Sequence, residues 1–428
     1  MKKLLVLALA LMLIHQLDLE SFAQYRFELT PFISAGLIYD DNIYLDNTDE
    51  ISDYVATVTP GASLSVTGQH TDLRLRYAPT FVRYRDLDDE NTTRHSASLV
   101  LGQDLTERLR FNLTDSFLRS DDPLEDITDL QGLRRGRNKY STNTGQGSLS
   151  YRFGPENMLN VGYSHQYRKN DDPTLEDSTV QEPFADLTYW LNVQNGIELR
   201  YRYTDVEYKS DEPAFSTGRE DDYTGHRTGV RYIRRFSPKS QGYVGYNYTT
   251  RDFDGLTEEY DVHDAFLGLE HIFSPEYSMA ASAGYFVRVN DVSENEDGPI
   301  FSALLTRAFE RGRITIGGDG GWGEEYLSTT VMEAGGFTKY YSGYLSGRYQ
   351  LLEPVSTFAG LSYRHDKKQN NRTWHTWRAN CGLHWAFLRW FSLSLSYTYV
   401  NRRDDIEISN YTDNRVMLTL SASKSYVW

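Results

Sequence analysis

The sequence predicts an all-β fold, a transmembrane antiparallel up-and-down β-barrel of about 20 strands, and three observations predict it. Apolar and polar residues alternate in segments of about ten residues, as membrane-spanning strands require. The connections between segments alternate between short and long, and the chain ends on two aromatic residues, Tyr426 and Trp428. Barrels of this class have short periplasmic turns and long extracellular loops.

The alternating segments sort apolar and polar side chains onto opposite faces. Residues 392–399 (SLSLSYTY) place Leu393 and Tyr397 on one face and the serines on the other, and residues 197–203 (IELRYRY) repeat this pattern. Period two is that of a β-strand with one apolar face. The alternation is weaker in two segments near Gly318 and Ser342, so the expected number of strands falls to about 18 if these segments are loops.

The connections form two classes. The short ones carry proline after an aromatic residue, which presets φ for a tight turn, at residues 153–157, 236–240 and 273–277. The long ones are acidic and comprise residues 40–53, 119–143, 169–183, 209–222 and 401–414. We expect the short class at the periplasmic end of the barrel and the long class at the extracellular end.

The composition agrees with a barrel. Aromatic residues make up 14% of the chain, yet the mean hydropathy is −0.57. A barrel strand needs an apolar residue only at every second position, so the average hydropathy stays low. Tyrosine and tryptophan favour the two water–lipid interfaces. We therefore expect aromatic girdles that include Tyr39, Tyr84, Phe153, Tyr167, Phe236, Phe273, Trp374 and Trp390. A soluble β-sandwich or propeller is the alternative.

The first residues have the pattern of a secretory signal peptide. Lys2 and Lys3 precede an apolar run at residues 4–14, and residues 21–23 (SFA) fit a small-x-small cleavage site. The sequence thus predicts a signal peptide over residues 1–23, cleavage near Ala23, and an outer-membrane barrel over residues 24–428 of a Gram-negative envelope. A membrane anchor is the alternative, although the apolar run is short for a bilayer.

Charge and cysteine content limit the function classes. The net charge of −16 argues against a nucleic-acid partner, because a phosphate backbone requires a basic surface. Cys381 is the single cysteine, so we expect a buried, inert thiol and neither a disulfide nor any cofactor held by cysteines. The expected partners are outer-membrane lipid and lipopolysaccharide.

The last strand predicts how the barrel closes. Val416, Leu418 and Leu420 share parity with Tyr426 and Trp428 and should face lipid, so the strand can pair with the first one and remove both sheet edges. The ending at Tyr426 and Trp428 resembles the C-terminal signal that outer-membrane barrels present to the barrel-assembly machinery. That signal usually has glycine where this chain has Ser423, and Lys424 interrupts the apolar parity.

The first hairpin carries a family resemblance. An Asp-Asn pair at 41–42, a Ser-Asp pair at 52–53 and a Pro-Gly pair at 60–61 lead into alternating residues. This arrangement resembles the opening of a β-barrel porin family of bacterial outer-membrane proteins, whose members are often associated with exopolysaccharide or capsule export. The resemblance implies a role as the outer-membrane exit for a polysaccharide, beside its export proteins.

Arginines are the candidate pore-lining residues. They share the parity of polar side chains and are Arg74, Arg76, Arg200, Arg202, Arg227, Arg231 and Arg235. A barrel of this strand number encloses an aqueous lumen, where these arginines would favour anions or anionic sugars. The alternative is that they pair with acids such as Glu198 and only solvate the wall.

The acidic first loop has two interpretations. Asp40, Asp41, Asp46, Asp49, Glu50 and Asp53 lie close together in the sequence. Oxygen ligands suit Ca²⁺, but the spacing does not match an EF-hand loop. A solvated, negatively charged outer face is the favoured interpretation, and divalent cations bridging the loops to lipopolysaccharide remain an alternative.

We find no pattern that predicts an enzyme. Aspartate pairs occur at 121–122, 171–172, 221–222 and 404–405, in different loops, and the histidines are dispersed without a zinc motif. The sequence therefore predicts an outer-membrane porin-like channel, with polysaccharide exit implied by the resemblance. The alternative is a plugged structural or adhesive barrel whose acidic loops bind cell-envelope polymer.

Overall fold

The structure is a computed structural model of the whole chain. It describes residues 25–123, 137–173, 175, 177–209, 222–255, 257–325, 336–368 and 371–428. The predicted signal peptide lies outside the described residues, as does the middle of the longest predicted loop. Within the described part of the chain, no helix is long and apolar enough to cross a membrane.

The described residues form one antiparallel sheet. Its strands are β1 (Arg26–Asp40), β2 (Asp53–Thr67), β3 (Thr71–Tyr84), β4 (Thr92–Asp104), β5 (Leu109–Ser120), β6 (Tyr140–Arg152), β7 (Met158–Asn170), β8 (Asp177–Trp190), β9 (Asn195–Lys209), β10 (Tyr223–Ser237), β11 (Ser240–Phe253), β12 (Tyr260–Ser274), β13 (Tyr277–Asn290), β14 (Glu296–Phe309), β15 (Gly312–Glu325), β16 (Gly336–Leu352), β17 (Val355–Lys368), β18 (Thr373–Leu388), β19 (Phe391–Asp404), β20 (Tyr411–Ser423) and β21 (Tyr426–Val427).

The sheet closes on itself, because β1 pairs with β2 on one side and with the end of the chain on the other. Leu37 lies opposite Leu418 of β20, and Leu29 lies opposite Tyr426 of β21, which continues β20 after a short break. The fold is therefore a closed barrel of 20 antiparallel strands over the described residues, which confirms the predicted class. The two weak segments near Gly318 and Ser342 are strands, β15 and β16.

All the short connections lie at one end of the barrel, the turn end, and all the longer ones lie at the other, the loop end. Some predicted loops are shorter than expected because the strands continue into them. β8 begins at Asp177 inside predicted loop 169–183, and β19 continues to Asp404 inside predicted loop 401–414. Strands of 12–17 residues exceed the roughly 9–11 residues that cross a bilayer. Some of the sheet therefore extends beyond the membrane.

The outer face of the barrel is the apolar one. On β9, Leu199 and Tyr201 are 45% and 43% exposed, and alternate residues Arg200 and Arg202 have the opposite parity. Contacts between strands that are not neighbours in the sheet, such as Arg227 of β10 against Trp322 of β15, can form only inside the barrel. They place the parity of Arg227 on the inner face.

Most predicted girdle residues follow this rule, but two do not. Tyr39, Phe153, Phe236, Phe273 and Trp390 are exposed. Tyr84 and Trp374 are 4% and 6% exposed, because each lies one residue out of phase with the lipid-facing parity of its strand. Their expected place in a girdle is wrong.

The expectation of a buried thiol is also wrong. Cys381 is exposed, because it shares the outward parity of Leu383 and Trp385 on β18.

Candidate functional site: the loop end of the lumen

The first loop folds into the barrel. Ile43 and Leu45 are 0% and 1% exposed. Ile43 packs with Val55 and Val82 on the inner face of β2 and β3, and Leu45 packs with Val400 on the inner face of β19. The loop therefore covers the inner wall on both sides of β1.

Asn42 fixes this inward path. Its side-chain amide donates to the backbone oxygen of Thr412 at 2.9 Å and of Asp46 at 2.7 Å, and its side-chain oxygen accepts from the N–H of Asp46 at 2.9 Å. Leu45 has a φ of 54°, an uncommon value for a residue without an amide or carboxylate. Because its side chain is fully buried, packing offsets the backbone strain.

An arginine from the longest connection locks this loop in place. Arg137 donates from Nε to the backbone oxygen of Ile43 at 3.1 Å and from Nη1 to Asp122 at 2.8 Å, and its Nη2 lies 3.8 Å from Asp40. Its side chain is only 3% exposed. A desolvated arginine with several acidic partners ties the two connections together.

Arg94 completes the cluster from the inner face of β4. Its Nε donates to Asp121 at 2.5 Å, and it also forms an ion pair with Asp122. Burial tends to raise the pKa of Asp122, but the guanidinium groups of Arg94 and Arg137 outweigh burial and hold that pKa below its usual value. We call Arg94, Asp121, Asp122 and Arg137 the arginine latch.

The interpretation of the first loop as a fully solvated acidic face is wrong for two carboxylates. Asp40 and Asp53 are each 2% exposed. Asp40 binds Arg415 at 3.0 Å, and Asp53 accepts the N–H groups of Asp86 and Leu87 at 3.1 Å. Buried carboxylates need such partners, and these two acids therefore have a structural role in the loop.

Three other acids of the loop are exposed, and Asp41 is half-buried and accepts hydrogen bonds from Asn414. Asp46, Asp49 and Glu50 face solvent. The backbone N–H of Thr48 lowers the pKa of Asp46. Oxygens of Asp40, Asp41 and Asp413 lie within 4.8 Å of one another. Arg415 binds Asp40 there and approaches Asp413, so this group has the contacts of an ion-pair network.

A second element narrows the lumen, and it comes from β15 and β16. The pairing of β14 with β15 ends where Phe301 lies opposite Gly320. The pairing of β15 with β16 continues to Glu325 opposite Gly336. The loop-end part of β15 has therefore separated from β14, whereas β16 stays paired with β17 as far as Thr338. We call the loop-end part of the β15–β16 hairpin the inner hairpin (residues 320–325 and 336–340).

The glycines of β15 permit the separation. Five of the seven residues at 317–323 (GGDGGWG) are glycine. A Cβ on Gly320 would lie 2.5 Å from the ring of Phe301 and 3.1 Å from the backbone oxygen of Tyr340, so no larger residue fits where the strand departs.

The face of the inner hairpin that should meet lipid instead meets the inner wall. Trp322 and Glu324 share parity with Ile316, which is 51% exposed, and Phe337 shares parity with Tyr341, which is 49% exposed. Phe337 is nevertheless only 2% exposed. Trp322, Glu324 and Phe337 thus lie inside the lumen, with this outward-parity face against the inner wall formed by β10–β14.

Polar contacts hold the inner hairpin to that wall. Trp322 donates from Nε1 to Asp264 of β12 at 2.8 Å. Glu324 accepts from Arg251 of β11 at 2.9 Å and from the hydroxyl of Tyr260 at 2.8 Å. The side chains of Arg251 and Glu324 are 8% and 5% exposed, so this ion pair is desolvated.

Aromatic packing fills the space beneath these contacts. The ring of Phe337 stacks on Trp322 at 5.4 Å and lies 5.7 Å from Phe286 and 5.9 Å from Tyr260. The guanidinium of Arg288 lies 4.7 Å from the Phe337 ring centroid and 4.1 Å from that of Tyr260. Such aromatic and cation–π contacts each contribute about 0.5–2 kcal/mol.

The candidate pore-lining arginines lie on the inner-face parity in two groups. Arg74 and Arg76 lie on β3, and the guanidinium of Arg76 stacks over Phe32 at 4.3 Å. The other five are neighbours on β9 and β10: Arg200, Arg202, Arg227, Arg231 and Arg235.

Some of the second group form the ion pairs that the alternative interpretation expected. Glu198 accepts from Arg231 at 2.6 Å and from Arg200 at 3.1 Å. Arg235 binds Glu156 of the neighbouring turn at 2.8 Å. The inner wall is therefore partly neutralised near the turn end.

Four aspartates of the pairs that a protease might have used are engaged in ion pairs, and Asp222 and Asp405 accept backbone N–H groups. Asp121 and Asp122 belong to the arginine latch. Asp171 binds Arg119 at 2.6 Å, and Asp404 binds Arg372 at 2.8 Å. Asp221 lies outside the described residues.

Three histidines occupy equivalent places on the outer face. The hydroxyls of Tyr77, Tyr201 and Tyr246 lie within 2.6–2.9 Å of Nδ1 of His95, His226 and His263, respectively. Each pair joins two strands on the outer surface. The histidines therefore contribute to the interfacial surface of the barrel.

Sequence reasoning missed the arginine latch and the inner hairpin. Both consist of residues whose partners are far away in the sequence or break the parity rule. The glycine-rich run in β15 was a signal, because isolated glycines in a strand often mark a bend or a close approach.

Comparison with known proteins identifies the fold alone. No family model matches the chain, and no curated protein matches it. The alcaligin outer-membrane receptor FauA from Bordetella pertussis is similar, with a TM-score of 0.54 and 14% identity, over 93% of this chain and 76% of that one. The fold is that of an outer-membrane β-barrel.

Two further structures agree. The FrpB iron transporter from Neisseria meningitidis (F5-1 variant) has a TM-score of 0.54 and 11% identity, over 92% of this chain and 82% of that one. The copper transporter OprC has a TM-score of 0.53 and 9% identity, over 92% of this chain and 80% of that one.

Proposed function

We propose that this chain is an outer-membrane channel whose lumen is narrowed at the loop end, and that it serves as the exit for an exopolysaccharide. The observation that carries the proposal is a closed 20-strand barrel with a polar, arginine-bearing inner face. Barrels of about eight strands are filled by their own side chains, whereas those of about 16 or more enclose an aqueous space. A barrel of 20 strands therefore encloses a lumen that its wall side chains alone do not fill.

The membrane setting follows from the outer surface. Leucine, valine and tyrosine side chains cover it, and only a closed sheet satisfies every backbone group in hydrocarbon. We place the barrel in the outer membrane after removal of residues 1–23, in contact with lipid and lipopolysaccharide. Tyr426 and Trp428, 46% and 63% exposed, are available to the assembly machinery.

Polysaccharide exit rests on the family resemblance of the first hairpin together with the width of the lumen. The first loop and the inner hairpin restrict the loop end, which suits a channel that must stay closed between translocation events. We assign no catalytic residue, because the described contacts of the aspartate pairs are ion pairs and hydrogen bonds to backbone N–H groups.

A test of the channel uses the refolded chain in a planar bilayer. We expect discrete conductance steps, small while the inner hairpin is packed. The absence of conductance both in the wild type and in variants that release the inner hairpin would refute a channel.

The second candidate, a plugged structural barrel, is favoured by the same two lumenal elements. It predicts no conductance in the wild type or in variants that release the inner hairpin, and it predicts that envelope polymer binds to the loop end. Pull-down of purified capsular or lipopolysaccharide polymer by the refolded barrel, with and without the acidic residues Asp49 and Glu50, separates the two candidates.

A further inference from the structure

Two arginines face each other on the inner wall without an acid between them. Arg202 of β9 and Arg227 of β10 lie directly opposite in the sheet register. Directly opposite residues have Cβ atoms about 5 Å apart on the same face of the sheet, and like charges there are destabilising. Both side chains are exposed to the lumen.

Neither arginine forms an ion pair within the residues that the structure describes. The guanidinium of Arg202 lies 5.8 Å from the ring centroid of Phe184, and that of Arg227 lies 5.8 Å from Trp322. Both arginines therefore rest on aromatic faces and keep their hydrogen-bond donors available.

Two of the acids nearby already have partners, and a third, Asp186 of β8, lies opposite Arg200 in the sheet register. Glu198 receives Arg231 and Arg200, and Asp264 accepts the indole N–H of Trp322. Among the described residues no carboxylate forms an ion pair with Arg202 or Arg227, and Asp264 interacts electrostatically with Arg227 without pairing with it, so the wall balances their positive charge only in part. An anion placed between the two guanidinium groups would offset their repulsion and accept charge-assisted hydrogen bonds.

A cavity opens beside these residues. Its volume is about 290 Å³, and its charged lining consists of four arginines and two acids, an excess of two positive charges: Arg200, Arg202, Arg227 and Arg231 against Asp186 and Glu198. This volume lies at the small end of ligand pockets, which hold about 300–1,000 Å³. The cavity therefore suits one unit of a chain rather than a large compact ligand.

Guanidinium–aromatic pairs continue along the same inner face towards the turn end. Arg231 lies 4.9 Å from the ring centroid of Tyr243, and Arg235 lies 3.5 Å from that of Trp190. Aromatic ring faces next to guanidinium groups suit a polymer in which the apolar faces of sugar rings alternate with carboxylates.

We propose that this inner face binds an anionic sugar chain, with Arg202 and Arg227 together holding one carboxylate of a uronic acid unit. The inference rests on the proposed function and specifies its substrate class. The remaining guanidinium–aromatic pairs form a track by which neighbouring units contact the wall.

The test measures binding by isothermal titration calorimetry on the full refolded chain in detergent. The probe is an oligogalacturonate of seven units, compared with maltoheptaose, which is uncharged, and with monomeric galacturonate. We expect the charged heptamer to bind at least about tenfold more tightly than either, since one charge-assisted hydrogen bond is worth about that factor. Equal binding of maltoheptaose, or of the monomer, overturns the proposal.

Variants locate the site. Arg202→Gln/Arg227→Gln should weaken heptamer binding about tenfold or more. Arg202→Lys/Arg227→Lys keeps the charge but removes the planar guanidinium group. Its affinity for the heptamer should lie between those of the wild type and the glutamine variant. The matched control, Arg74→Gln/Arg76→Gln, changes the same inner face on β3 and should stay within about twofold. Unchanged binding in the glutamine variant overturns the site.

Stability separates a binding role from a structural one. Because the two arginines repel each other, the unliganded glutamine variant should unfold at the wild-type temperature or above it. A lowered unfolding temperature would mean that the arginines stabilise the wall and would overturn the proposal. Conductance is recorded separately: conductance without heptamer binding refutes the track but keeps the channel, and binding without conductance refutes only passage.

Discussion

The inner hairpin makes a sharp prediction about Glu324. Changing Glu324→Ala removes a carboxylate that pairs with Arg251 at 2.9 Å, with both side chains less than 10% exposed. Breaking a buried ion pair from one side costs about 3–5 kcal/mol, because the other charge stays desolvated. Release of the inner hairpin returns Arg251 to water, so this cost falls on the packed state alone.

The equilibrium should shift accordingly. A cost of about 3 kcal/mol changes the ratio of packed to released hairpin by more than about hundredfold. We therefore expect Glu324→Ala to show a larger unit conductance and fewer closed intervals in planar bilayers. Glu207→Ala is the control, since its pair with Lys209 at 2.9 Å is exposed and surface pairs contribute about 0–1 kcal/mol.

A double variant tests the reason. Arg251→Ala/Glu324→Ala removes the other charge of the buried pair as well, so it should release the inner hairpin less than Glu324→Ala alone. Heat-modifiable gel mobility must show a folded barrel in every variant. Identical conductance for the wild type, Glu324→Ala and the double variant would refute the reasoning.

Three further predictions follow from the described contacts. Arg137→Ala should destabilise the loop end by about 3–5 kcal/mol, which hydrogen exchange of the first loop would detect and an unchanged exchange rate would contradict. The pKa of Asp122 is lowered below its ordinary value of 3.8, because Arg94 and Arg137 outweigh burial. The contribution of Asp122 to stability is therefore present above pH 3.8 and is lost as the pH falls through the lowered pKa. Hydrogen exchange measured between pH 7 and pH 3 should show the first loop loosening only at the acidic end, and loosening near neutral pH would argue against this. Trp428 stacks on Phe27 at 6.2 Å and exchanges two backbone hydrogen bonds with it. Trp428→Ala should therefore slow refolding into lipid vesicles even without assembly proteins. An unchanged refolding rate would leave the aromatic ring with a signalling role alone.

The wall of the barrel was predictable because it depends on local rules. Period-two alternation gave the strand faces, and the parity of Leu418 and Leu420 anticipated pairing with β1. The same rule put Arg202 and Arg227 on the inner face. The girdle assignment of Tyr84 and Trp374 failed because it rested on their being aromatic residues at strand ends and ignored their inward parity.

The loop end was not predictable from those rules. The acids of the first loop gave no indication that Asp40 would meet Arg415, 375 positions away in the chain. Trp322 and Phe337 have lipid-facing parity, so alternation alone assigned them to the wrong side of the sheet.

By itself the sequence determined the barrel: which side chains face oil, which face water, and that the first and last strands must join. Only the tertiary structure decided what occupies the lumen, because that depends on where β15 leaves β14 and on which distant charges neutralise one another. Parity follows from each strand's own backbone, whereas the filling of an enclosed space follows from the shapes and charges of strands that are not neighbours.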